Sequence, residues 1–172
     1  MGEYIGISEN RLHHILGVAR KAYSIAKDMG FSEEFARKCF MLGWLHDVGY
    51  EFSTKKVEHS IASAALVGLL GDYIFPEGFN ESKPAKPGVN MVMERSIQAI
   101  FNHGSFTQSM TEEYKILNMA DLQVDNEGNE VSVEERLEDI KERYGEYSKE
   151  YLDACEIAFR VGLTETNIAR GK

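Results

Sequence analysis

The stretch FMLGWLHDVGYEF, Phe40 to Phe52, sets an imidazole beside a carboxylate at the end of an apolar run. Burying either His46 or Asp47 without a partner costs several kcal/mol or shifts its protonation, so the fold must supply compensation. The chain has five histidines, and helical phase sorts them. His13 shares its line with Gly17, Arg20, Ser24 and Lys27, the polar side; His14 aligns with Val18 and Ile25 at the edge of an apolar stripe. His46 aligns with Cys39 and Leu42. His59 aligns with Ala62 and Leu66, and His103 closes a segment beside Ala99 and Ile100. Asp121 aligns with Tyr114, Leu117 and Val124, which puts a carboxylate on an apolar face.

A single inward histidine is usually a hydrogen-bonded core residue. Four histidines and two aspartates on inward positions of separate helices are harder to satisfy independently. A buried divalent cation would neutralise the carboxylates and occupy the imidazole lone pairs together. Mixed nitrogen and oxygen donors suit one or two transition ions among Fe, Mn, Zn, Co and Ni, without choosing between them.

Positioning these residues falls to helices. Apolar residues recur at helical spacing from Ser8 to Met29, with Gly30 as the breaker. Ser32 with Glu33 and Glu34 opens a second helix expected to end near Asp47 to Gly49. A third is expected from Val57 to Leu70, followed by a long loop, Gly71 to Gly88, that holds all three prolines. Helix resumes from Asn90 to His103 and from Thr111 to Val124. DNEGNE is a turn, the capping box Ser132/Glu135 starts a helix ending at Gly145, and the last helix spans Ser148 to Leu163. No useful β alternation occurs. The expected fold is all-α: a single-domain bundle of about six to seven helices over residues 1–172, with a metal-binding core at about 8–124 and C-terminal helices, 132–172, packed on it.

Composition bounds the function. Hydrophobic residues make up 43% and charged residues 27%, ordinary for a globular chain. Nineteen basic against 28 acidic residues give a net charge of −9, which argues against broad nucleic-acid binding. A small anionic substrate remains open, because a bound cation inverts the local field. Ile61 to Leu70 is too short for a membrane span. Cys39 and Cys155 read as buried free thiols, and the cytoplasm is the expected compartment. A homo-oligomer is left open.

Arg11-Leu12-His13-His14 followed by Gly17-Val18, then Leu45-His46-Asp47-Val48-Gly49, then Ala120-Asp121, resembles the HD-domain superfamily of metal-dependent phosphohydrolases. The resemblance covers roughly Ser8 to Val124. It implies a metal held by His14, His46, Asp47 and Asp121, with His46 and Asp47 at the catalytic centre. His59 and His103 look like the two extra histidines of the binuclear branch, in which Asp47 would bridge two metals. The nearest likeness is to small bacterial members, including the branch that cleaves diadenosine tetraphosphate. The chain departs from that branch in having only 11 residues between Asp47 and His59.

The activity implied is hydrolysis of a phosphate ester or anhydride, a nucleotide foremost, by attack of metal-bound water. Lys55 and Lys56 are the best-placed substrate-binding cations, followed by Arg11 and then Lys83 or Lys86; a solvated role serves the lysines equally well. Asn102 and Asn118 are candidate partners behind the ligands. Asp125 reads as a helix end, EERLEDIKERYGEYSKE as a solvated helix and turn, and Trp44 and the methionines as core. Two rival activities use the same residues: a di-iron oxygenase of HD-like fold, and a catalytically silent HD module that binds a ligand.

Overall fold

The computed structural model describes residues 7–52, 58–74 and 91–165. Among them are seven α-helices: α1 (Glu9–Asp28), α2 (Glu33–Leu45), α3 (His59–Ile74), α4 (Met91–Asn102), α5 (Glu112–Asp121), α6 (Val133–Tyr144) and α7 (Lys149–Arg160). A 3-10 turn, Val48–Glu51, joins the end of α2 to the region of α3. The fold is all-α; the described residues contain no strand, only an isolated bridge between Val124 and Glu130.

The helix starts follow local chemistry. Ser8, Ser32, Thr111, Ser132 and Ser148 each accept a backbone N–H of the first turn with the side-chain oxygen. The Ser132/Glu135 pair forms the reciprocal capping box. The ends differ from the sequence expectation. α2 stops at Leu45, so His46 caps it and Asp47 lies in the break before the 3-10 turn. α3 begins at His59 and passes Gly71 to reach Ile74, since one glycine costs only about 1 kcal/mol in a helix. α4 ends at Asn102, leaving His103 in the following turn, and α5 ends on Asp121, three residues earlier than expected.

The main core is built from α1 to α5: Val18 and Ala22 of α1, Leu42 of α2, Val67 of α3, Ile100 of α4, and Tyr114 and Leu117 of α5. A second cluster gathers Leu122 with Val133, Leu137 and Ile140 of α6 and Tyr151, Cys155 and Ile157 of α7. Between α2 and α5, Lys38 Nζ donates to Glu113 Oε1 at 2.7 Å, and both side chains are buried. A shifted pairing of these helices would strand one charge, at a cost of about 3–5 kcal/mol. The pair thereby fixes the register of two helices that carry site residues.

Two readings of single residues need correction or completion. Trp44 is 43% exposed and stacks on Phe40 one turn earlier, so it belongs to the outer face of α2. Met29 is also exposed, whereas Met41, Met110 and Met119 pack against the core. Cys39 and Cys155 are buried free thiols. Burial pushes Cys39 up to about 12, which makes it a poor nucleophile. No helix among the described residues is long and apolar enough to cross a membrane.

Candidate metal centre

His14, His46, Asp47, His59, His103 and Asp121 come together from five places in the chain, with His14, His46, Asp47 and His103 buried and His59 and Asp121 half-buried. Asp47 is the hub. Its Oδ2 faces His46 Nε2 at 3.5 Å and His14 Nε2 at 3.9 Å; its Oδ1 faces both His59 Nε2 and His103 Nε2 at 3.3 Å. His14 Nε2 also lies 3.1 Å from Asp121 Oδ1. Two trios, His14–His46–Asp47 and Asp47–His59–His103, have donor atoms spaced closely enough to hold an ion each. His13, adjacent to His14, is exposed.

The backbone decides which nitrogen faces the centre. His14 Nδ1 contacts the Asp125 carbonyl at 2.9 Å, His46 Nδ1 the Gly43 carbonyl at 2.7 Å, and His103 Nδ1 the Ile100 carbonyl. A carbonyl only accepts, so each Nδ1 carries a proton, which leaves Nε2 as the nitrogen that faces the centre and, in the neutral tautomer, as the one with a free lone pair. His46 Nε2 is buried without a hydrogen-bond partner, and His59 Nε2 stands 3.2 Å from His103 Nε2. Lone pairs facing lone pairs and carboxylates call for a cation. The donor set fits a divalent transition ion.

Electrostatics keeps most of these groups in the ligating state. Burial lowers His46 and His59 to about 4 despite the nearby Asp47 charge, so both are neutral at pH 7. Burial would raise Asp47, but His46, His103 and His59 outweigh it and hold the carboxyl well below its ordinary range. At Asp121 the same burial is outweighed by His14 and by the Arg136 charge, again favouring the carboxylate. His103 differs: burial would lower its pKa, but the hydrogen bond and charge of Asp47 raise it.

Supporting contacts set the geometry. Arg11 Nη1 donates to Asp47 Oδ2 at 2.7 Å, and its guanidinium lies over the Tyr50 ring at 4.4 Å. Tyr50 in turn stacks on His59, with centroids 4.2 Å apart. Asp125 is more than a helix end, because its carbonyl orients His14. Its carboxylate accepts from Glu127 N and Asn129 N, winding a turn that presses on α1. Gly128 in that turn has φ of 84°, and a Cβ there would lie 2.3 Å from the His13 carbonyl, so only glycine fits. Asn118 Oδ1 accepts from Gly104 N at 2.9 Å, steadying the corner that carries His103. Asn102 Nδ2 instead donates to the Gln98 carbonyl, on an exposed face.

The residue the sequence reading missed is Arg136. It is 6% exposed, its Nε donates to the Asp121 carbonyl at 3.3 Å, and Nη2 lies 3.6 Å from Asp121 Oδ1. The signal was phase: Arg136 sits between Val133, Leu137 and Ile140 on the inward face of a helix that otherwise looks solvated. Lys55, Lys56, Lys83 and Lys86 lie outside the described residues.

Histidines and aspartates gathered in an all-α bundle form clusters that could hold divalent cations, the pattern of a metal-dependent domain. The HD domain family model matches residues 11–124, two thirds of the chain, so the chain belongs to the HD-domain family, within the superfamily of metal-dependent phosphohydrolases. No curated protein and no solved structure gives a match.

Proposed function

We propose that this chain hydrolyses a phosphate ester or anhydride, a nucleotide being the leading class, with His14, His46, Asp47 and Asp121 holding one divalent cation. Asp47, His59 and His103 hold a second. The observation that carries this reading is the division of Asp47, whose two oxygens face two separate sets of imidazoles. A bound divalent cation supplies an ionised water near neutral pH and withdraws charge from phosphoryl oxygens.

The protein supplies the rest. Arg11, 23% exposed at its side chain, is engaged by Asp47 through Nη1 and can turn further N–H donors toward a phosphate at the mouth. Tyr50, stacked on both Arg11 and His59, limits the swing of both groups. His14, His46 and Asp47 are almost wholly buried, which excludes bulk water from the inner face of the site. The test is phosphate release from a panel of nucleotides and phosphate esters with Mn, Co, Ni or Fe. Release that requires the cation and stops on chelation is expected. Oxygen uptake in place of phosphate release would identify an oxygenase instead.

Arg136 holds Asp121 by both backbone and carboxylate. Arg136→Lys keeps the charge but cannot maintain both contacts. Divalent-cation affinity is expected to fall by about 10–100-fold, the usual cost of losing a partner behind a ligand. Manganese titration followed by electron paramagnetic resonance reads this directly, and wild-type affinity would show that Asp121 needs no such hold.

A further inference from the structure

Three of the four inward histidines owe their orientation to the backbone. His14, His46 and His103 each turn Nδ1 to a carbonyl, and none of their side chains is more than 4% exposed. His59 has neither support. It is the first residue of α3, and its side chain is 31% exposed. Its contacts run through Nε2, and Nδ1 has no hydrogen-bond partner among the described residues. With no carbonyl on Nδ1, the backbone fixes neither the tautomer nor the plane of this ring.

Tyr50 holds His59 instead. The two rings lie 13° from parallel with centroids 4.2 Å apart, a stacked contact. The Arg11 guanidinium lies over the same Tyr50 ring at 4.4 Å. Arg11 and His59 then meet Asp47 on separate oxygens, Nη1 at 2.7 Å from Oδ2 and Nε2 at 3.3 Å from Oδ1. Carboxylate, guanidinium, phenol ring and imidazole thus close a circuit. The ring is itself well placed, because the Gly49 N–H before it donates to Ser63 Oγ of α3 at 2.7 Å. Removing the aromatic face of Tyr50 therefore releases His59 alone, while His14, His46 and His103 stay on their carbonyls. The donors point the same way. The proposed position at His14 and His46 draws on two carboxylates, Asp47 and Asp121, whereas the position at His59 and His103 has only the shared Asp47. Fewer charged ligands and a less rigid site mean weaker binding of a cation.

We propose that the two cation positions are unequal. The one at Asp47, His59 and His103 is the weaker, exchangeable position, and Tyr50 is the positioning residue that sets its occupancy by holding the His59 imidazole. This assignment rests on the two-cation reading of the cluster. The test uses the full chain and Mn²⁺, followed by electron paramagnetic resonance and by metal counted per chain, for wild type, Tyr50→Leu and Tyr50→Phe. Wild type is expected to bind two ions in separate steps, the second bringing the broadened signal of a coupled pair, since Asp47 serves both positions. In Tyr50→Leu the weaker step should lose about 10–100-fold in affinity, the usual cost of losing a partner behind a ligand, with the tighter step unchanged. Tyr50→Phe keeps the aromatic face and should restore the wild-type titration.

Equal loss at both steps in Tyr50→Leu would mean a general disturbance of the site and overturns the assignment. So does an unchanged weaker step, or a Tyr50→Phe that behaves as Tyr50→Leu. A second measurement needs no variant and keeps the proposal falsifiable even where Tyr50→Leu fails to fold. From wild type loaded with two ions, a chelator should remove one about tenfold faster than the other. Equal release, or a wild type that binds fewer than two ions, overturns the inequality. Two-step Mn²⁺ binding governed by Tyr50, with no phosphate released from any ester or nucleotide, leaves the role of Tyr50 standing and removes the hydrolase reading. Phosphate release with both steps indifferent to Tyr50→Leu gives the reverse.

Discussion

Asp47→Ala is expected to bind no more than a trace of divalent cation and to release no phosphate. The carboxylate lies within 4 Å of all four inward imidazole nitrogens, those of His14, His46, His59 and His103. Its loss removes the negative charge shared by both proposed cation positions. Partners behind a ligand typically cost about 10–100-fold in affinity, and the shared ligand itself should cost more. Folding should respond differently. Arg11 loses its carboxylate but is partly exposed and can turn to water, so the cation-free protein should lose little stability from this group. What disappears is stabilisation by the cation, about 2.7 kcal/mol for a wild type held at 100 times its dissociation constant. Thermal melts with and without Mn²⁺, together with metal counted per chain, separate the two effects. Undiminished metal content and turnover in Asp47→Ala would end the proposal that this cluster is the active centre.

Much of the arrangement could be read from helical phase, because phase is a local property. It separates the buried His14 from the exposed His13, and it places Asp121 on the buried line of Tyr114, Leu117 and Val124. The cap pattern likewise marks five helix starts, since the capping oxygen lies within the first turn it serves. The unreadable parts depend on long-range contact. Helical phase places Arg136 inward, but nothing local names Asp121 as its partner, and Arg143, two turns later on the same line, reaches Asp139 at the surface. Tyr50 carries no motif, and its role arises from lying between Arg11 and His59, residues 39 and 9 positions away. The turn after α5 looked like a helix end because the group it offers to His14 is a backbone carbonyl, which every residue possesses.

Gly49→Ala should be the most damaging substitution outside the proposed ligands. Gly49 is buried in the 3-10 turn, and its N–H donates to Ser63 Oγ at 2.7 Å. A Cβ on Gly49 would stand 2.1 Å from the His59 carbonyl and 2.4 Å from Ser63 N. Both obstacles are backbone atoms, so no rotamer change can clear them. The turn must move off the start of α3, with Asp47 two residues before the clash and His59 on its other side. Overpacking of this kind costs about 1–3 kcal/mol and sometimes more. Losing the buried N–H contact adds about 1–3 kcal/mol. A total of about 3 kcal/mol or more is a large share of the 5–15 kcal/mol typical of a domain. Ser63→Ala provides the comparison, since it leaves the Gly49 N–H unpaired without pushing the backbone apart. Urea denaturation should therefore show both variants weakened, and Gly49→Ala the more so. Cation titration at low urea should show a clear loss of affinity only for Gly49→Ala, because only there do Asp47 and His59 separate. Equal cation affinity in the two variants would mean that the turn can shift without disturbing the histidines and carboxylates it joins.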